Sequence, residues 1–131
     1  MTNQFINPAG IAPPTGYTHV VTTDARKLVF ISGQIGVDAN GEMKGGLAAQ
    51  TQQAFENLKH ALASVGATFD DVVKVTTFIV NYTPASRQVL AETRAKYFNP
   101  QRPPASTLIG VSALAFPGLL IEIEATAALA S

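Results

Sequence analysis

Residues 27–37 read KLVFISGQIGV. β-Branched and aromatic residues crowd this stretch, which predicts a strand. Alternation along it sends Val29, Ile31, Ile35 and Val37 to one face and Leu28, Phe30, Ser32 and Gln34 to the other. Both faces are therefore largely apolar. The number of helices available to cover them decides the architecture.

Two helices follow from the pattern. Ala54, Leu58, Ala61, Leu62 and Val65 recur at helical spacing within residues 47–65, and Gly66 stands where a C-terminal cap is expected. Pro84 suits the first turn of a second helix, whose inner stripe is Val89, Leu90, Thr93 and Tyr97 and whose end is Asn99-Pro100. Strand character appears at residues 17–21, 72–80, 106–112 and 119–127, with turns at Asn40-Gly41 and Pro117-Gly118. The order is β-β-α-β-α-β-β, an α+β fold with both helices on one face of the sheet. Residues 1–16, with Pro8, Pro13 and Pro14, are expected to form an irregular arm of a single domain spanning 1–131. Two helices cover one sheet face only, so the helix-free face calls for another subunit.

Composition points the same way. Charged residues make up 14 % of the 131, below the roughly 25 % usual in soluble domains, so little polar material coats an isolated monomer. Nine basic and nine acidic residues cancel, leaving no electrostatic footprint for nucleic acid or an anionic membrane. The chain has no cysteine and only two histidines, which argues against a disulfide framework, a thiolate nucleophile or a histidine-based metal site. No apolar run approaches membrane-spanning length, and a cytoplasmic location is expected.

Polar groups set in an apolar wall suit a small-molecule pocket. By strict alternation the helix-free face carries Ser32, Gln34, Thr76, Ser106, Glu122 and Glu124 among Leu28, Phe30, Phe78 and Leu108. Glu122 and Glu124 stand two apart in IEIEATAAL and share one face, where paired carboxylates can divide acid and base roles. The plainer reading is that the hydroxyls are ordinary strand residues and the glutamates are solvated. Pattern alone does not choose between them. No Ser-His-Asp order, phosphate loop or metal-ligand spacing occurs. His19 can exchange a proton near neutral pH but reads equally as a half-exposed strand residue, and His60 falls on the polar side of its helix.

Several motifs taken together resemble those of the reactive intermediate deaminase (RidA/YjgF) family. They are VFISGQIGVDANGEM at 29–43, AAQTQQAFENLKHALASVGATFDDVVKVTTFIVN at 48–81, PASTLIGVSAL at 104–114 and IEIEATA at 121–127. The resemblance covers the chain from about Tyr17 onward. It implies a chorismate-mutase-like fold, a homotrimer with ligand pockets between subunits, and hydrolysis of reactive enamines and imines without metal or organic cofactor. It also implies substrate-binding roles for Tyr17 and Ser32, and a water-activating role for Glu122.

The family's PAR motif corresponds to Pro104-Ala105-Ser106, so its carboxylate-binding arginine does not carry over. A neutral serine cannot form a two-point clamp on a carboxylate. The resemblance therefore implies a deaminase for which 2-aminoacrylate is not the preferred substrate. Ser106 is placed at the pocket, and Arg102 is the nearest replacement for the missing cation. The alternative is a trimer of the same family that binds a small metabolite without turning it over. The family's older association with ribonuclease activity gains nothing from a neutral chain without a basic stripe.

Overall fold

The structure, a computed structural model, describes residues 2–131. In chain order it contains β1 (Asn3–Ile6), β2 (Val20–Thr23), β3 (Lys27–Ile35), α1 (Leu47–Ala63), β4 (Val72–Val80), α2 (Pro84–Arg94), β5 (Ala105–Val111) and β6 (Ile121–Leu129). The arm expected to be irregular contains a strand. β1 pairs antiparallel with β2 in a two-stranded ribbon, where four residues of each strand find their hydrogen-bond partners.

The main sheet has the order β3-β6-β4-β5. β6 is antiparallel to both its neighbours, whereas β4 and β5 run parallel, the pairing that requires a crossover, here α2. Helix α2 starts at Thr83, which forms a reciprocal capping box with Ser86, and Pro84 occupies its first turn. Phe55, Leu58 and Leu62 of α1 are buried with Val75 and Ile79 of β4 and Ile121, Ile123, Ala125 and Ala127 of β6. The rings of Phe55, Phe69, Tyr97 and Phe98 pack together beside them, Phe55 stacking on Tyr97 at 4.9 Å.

A buried amide ties α1 to the loops that precede α1 and β6. Gln50, 1 % exposed, accepts from the N–H of Leu120 at 2.8 Å and donates to the carbonyls of Gly118 and Lys44 at 2.9 and 3.1 Å. Gly36 makes room for it, because a Cβ there would stand 2.7 Å from the Cα of Gln50.

The strict alternation expected for β3 is broken by a bulge. Ile31 faces Ala125 and Gln34 faces Ile123, so three residue steps on β3 match two on β6. Beyond the bulge the faces exchange. Gln34 lies opposite helix-facing Ile123, and Ile35 lies opposite Glu122 on the helix-free face, the reverse of the expected arrangement. The expected face of β5 is also corrected. Ser106 and Leu108 pair with Val75 and Thr77, both buried on the helix side, so they face α2 rather than the open face.

Candidate functional site

Two groups of polar side chains flank the sheet on opposite faces. On the helix-free face, Glu122 of β6 is half-buried between Ile35 of β3 and Phe78 of β4. Its carboxylate rests on the bare Cα of Gly33. A Cβ at Gly33 would stand 2.5 Å from Cδ and 2.6 Å from Cγ of Glu122, so only glycine leaves the carboxylate where it is. Ser32, beside it in the bulge, is exposed, and its carbonyl accepts from Gln34 Nε2 at 3.0 Å. Glu124, one pair further along β6 against Thr76, is exposed. Around these carboxylates the face is apolar and open, with Phe30 77 % and Leu28 50 % exposed.

On the other face, a cavity of about 320 Å³ lies between α2 and the edge strand β5, lined by Tyr17, Tyr82, Arg87, Arg94, Ser106 and Leu108, with Thr15 and Gly110 at its margin. Tyr17 is held there by its neighbours. The N–H of Thr18 donates to the Pro104 carbonyl at 3.2 Å, and the buried Thr18 hydroxyl donates to the carbonyl of Pro103. His19 braces the Tyr17 ring edge-on at 5.3 Å and is itself fixed by a 2.7 Å hydrogen bond between Nε2 and the Ala12 carbonyl. Tyr82 follows Asn81, whose left-handed φ of 53° turns the chain out of β4, and Gly110 lets the Tyr82 side chain lie close over β5.

Arg94 reaches this cavity from the last turn of α2, its guanidinium packed against Gly16. Burial pushes its pKa below the ordinary arginine value, and the charge of Arg87 pushes it the same way. Among the described residues no carboxylate lies within ion-pair distance of either arginine; Lys44 and Asp38, at 3.0 Å, form the ion pair present.

The five residues singled out in the sequence therefore do not form one cluster within a chain. Ser32 and Glu122 lie on the helix-free face, and Tyr17 and Ser106 lie in the α2–β5 cavity. Arg102 is exposed and outside both, with its guanidinium carbon 4.9 Å above the ring of Phe5 in β1. Sequence reasoning missed Arg87 and Arg94. Their seven-residue separation on a helix already predicted was the available signal, since residues seven apart share a helix face. No group of His, Asp and Glu side chains among the described residues has the arrangement of a metal site.

Comparison with known proteins fits this architecture. The family model described as Endoribonuclease L-PSP matches residues 8–129. The chain belongs to this family, also known as RidA/YjgF. A solved structure of YyfB from Yersinia pestis, described as a protein of unknown function of the conserved Rid family, superposes with a TM-score of 0.90. It is 43 % identical, over 98 % of this chain and 100 % of that one. The 3-aminoacrylate deaminase RutC of Acinetobacter baylyi is 35 % identical over 97 % of this chain and 98 % of its own length. The human 2-iminobutanoate/2-iminopropanoate deaminase is 34 % identical over 92 % and 82 % respectively. The α+β fold of this RidA-family chain is thus the chorismate-mutase-like one. Its similarity to named deaminases supports a deaminase-type function at the level of the family. No helix among the described residues is long and apolar enough to cross a membrane.

Proposed function

We propose that this chain is a hydrolytic deaminase of a small enamine or imine metabolite, working in the cytoplasm as a homotrimer without metal or organic cofactor. The observation that carries this reading is the seat of Glu122, whose carboxylate lies on Gly33 in the middle of an apolar, open sheet face. A second subunit laid over that face would exclude water from all but the reacting position, which strengthens every polar interaction there. Glu122 then holds a water molecule and takes its proton as the oxygen attacks the imine carbon. That proton passes to the nitrogen to complete the carbinolamine. Glu122 then takes the hydroxyl proton as the C–N bond breaks and passes it to the departing nitrogen, so ammonia leaves carrying both of the water's protons and the carbonyl product remains. An enamine enters the same route after protonation at carbon. Positioned proton transfer of this kind typically contributes about 10²–10⁴-fold.

Glu122→Gln tests the reading. With an imine generated in situ from an amino acid, the variant should lose activity by roughly that factor while keeping its fold and assembly. Turnover at the wild-type rate would remove Glu122 from the mechanism. With no arginine at Pro104-Ala105-Ser106, 2-aminoacrylate is not the preferred substrate of this reading. Binding without turnover is the second reading. It is favoured by one observation, that Tyr17 and Ser106 open on the opposite side of the sheet from Glu122 within a single chain.

A further inference from the structure

Between β3 and α1 the chain folds back on itself. Val37 bridges Met43, the N–H of Lys44 donates to the Gly36 carbonyl at 2.9 Å, and the N–H of Asp38 donates to the Glu42 carbonyl at 3.0 Å. Asn40 and Gly41 form the exposed tip. Gly41 has φ of 80°, and the space where a Cβ would stand is open.

An asparagine followed by glycine is open to attack by the next backbone nitrogen, because glycine brings no side chain to hinder the approach or restrict the chain. The nitrogen of Gly41 gives up its proton and bonds to Cγ of Asn40. The Cγ–Nδ2 bond then breaks, Nδ2 takes up a proton and leaves as ammonia, and a cyclic imide remains. Water opens the ring at either carbonyl, giving aspartate or its β-linked isomer. The other asparagines are closed to this route. Asn7 and Asn99 precede prolines, which have no N–H. Asn57 lies in α1 with Nδ2 donating to the carbonyls of Ile35 and Val37 at 2.9 and 3.0 Å. Asn3 and Asn81 precede glutamine and tyrosine, whose side chains crowd the approach.

The turn itself governs the nitrogen. The N–H of Gly41 donates to the Asp38 carbonyl at 2.9 Å, so the nucleophile is engaged until the turn opens. The Asp38 carboxylate keeps it closed. Its Oδ1 accepts from the N–H groups of Asn40 and Glu42 at 2.9 and 3.0 Å, and its Oδ2 pairs with Lys44 at 3.0 Å.

We propose that Asn40 is the site of spontaneous deamidation in this chain and that the Asp38 turn is the latch that sets its rate. Conversion puts a new carboxylate between Asp38 and Glu42, and the β-linked isomer adds a carbon atom to the backbone inside the bridge of Val37 and Met43. The change is passed to Lys44, whose carbonyl is one anchor of the buried Gln50 amide.

The full-length protein, aged in mildly alkaline buffer, is followed by ion exchange, peptide mass spectrometry and labelling with an isoaspartyl methyltransferase. Nine basic and nine acidic residues balance, so conversion should appear as a more acidic species. The modification should map to residue 40, and Asn40→Gln should stay homogeneous over the same period. Asp38→Ala should convert about tenfold faster than the wild type, the effect of about 1.4 kcal/mol less turn stability. Asp38→Ser, which keeps one acceptor, should fall between them and serves if Asp38→Ala folds poorly. An intact Asn40 in aged protein, or conversion spread evenly over the asparagines, overturns the site. Ageing of both Asp38 variants at the wild-type rate overturns the latch.

Discussion

The guanidinium of Arg94 lies directly against the bare Cα of Gly16, and a Cβ at Gly16 would stand only 3.2 Å from Cζ of Arg94 and closer still to its Nη2. Gly16 also has φ of 77°, in the left-handed region. Gly16→Ala therefore meets two penalties, backbone strain of about 1–2 kcal/mol and displacement of the arginine. Thermal melting should show the loss of stability. A variant as stable as the wild type would mean that residue 16 can leave the left-handed region freely.

Glycine at position 33 answers to a carboxylate rather than to the core. Strict alternation would send Gly33 to the helix side with Ile31, but the bulge in β3 turns it toward Glu122. Gly33→Ala is expected to push the Glu122 side chain aside and lower Glu122-dependent turnover. Unfolding free energy should change by less than about 1 kcal/mol. A large stability loss with unchanged turnover would restore the helix-facing assignment.

The buried amide of Gln50 holds three backbone groups from two loops. Gln50→Leu keeps most of the volume and leaves those groups without a partner, each unsatisfied group costing about 1–3 kcal/mol. Denaturant unfolding should therefore show a loss of roughly 2 kcal/mol or more. A smaller loss would mean that water enters to replace the amide.

Tyr97 makes stability depend on alkaline pH. Burial, followed by its hydrogen bond to Glu56 at 2.7 Å, holds the phenol neutral up to about 12 against an ordinary 10.0. An acid whose pKa is raised on folding contributes stability that is fully present below its unfolded value, and that stability is lost as pH rises through the folded one. Wild-type stability should fall between about pH 10 and about pH 12 more steeply than that of Tyr97→Phe. The variant keeps the ring that stacks on Phe55. Parallel pH profiles would show that the phenol titrates as it does in the unfolded chain.

Phe30, 77 % exposed on the helix-free face, is expected to be covered by the partner subunit of the proposed trimer. Phe30→Lys should release monomers detectable by light scattering at micromolar concentration. An assembly unaffected by that charge would place the contact elsewhere.

Most of the fold was legible because it rests on periodicity. The helical stripe of Ala54, Leu58 and Leu62 and the apolar alternation of Ile121, Ile123 and Ala125 each admit one reading, and the structure buries all of them. The bulge at Ser32-Gly33 was not legible. An extra residue in a strand changes no residue type, yet it exchanges the faces of everything beyond it, and Gln34 and Ile35 were misassigned for that reason. β1 was hidden by the prolines that follow it. Glu122 could be placed on the open face because its neighbours on both sides are isoleucines. Ser106 could not, since the residues of β5 are of mixed polarity and its facing is set by pairing with Val75.

The central position of β6 in the sheet has a consequence for biosynthesis. β3 and β4 are never neighbours; both hydrogen-bond to β6, which is made after β1 to β5 and both helices. While Ile121–Leu129 is still inside the ribosome, the emerged chain holds two strands rich in valine and isoleucine with their edges unpaired. The β3–β6 pairing, which joins Lys27 to Leu129, spans most of the chain, so closure is a slow, long-range event, and until it occurs those edges are open to aggregation or to chaperones.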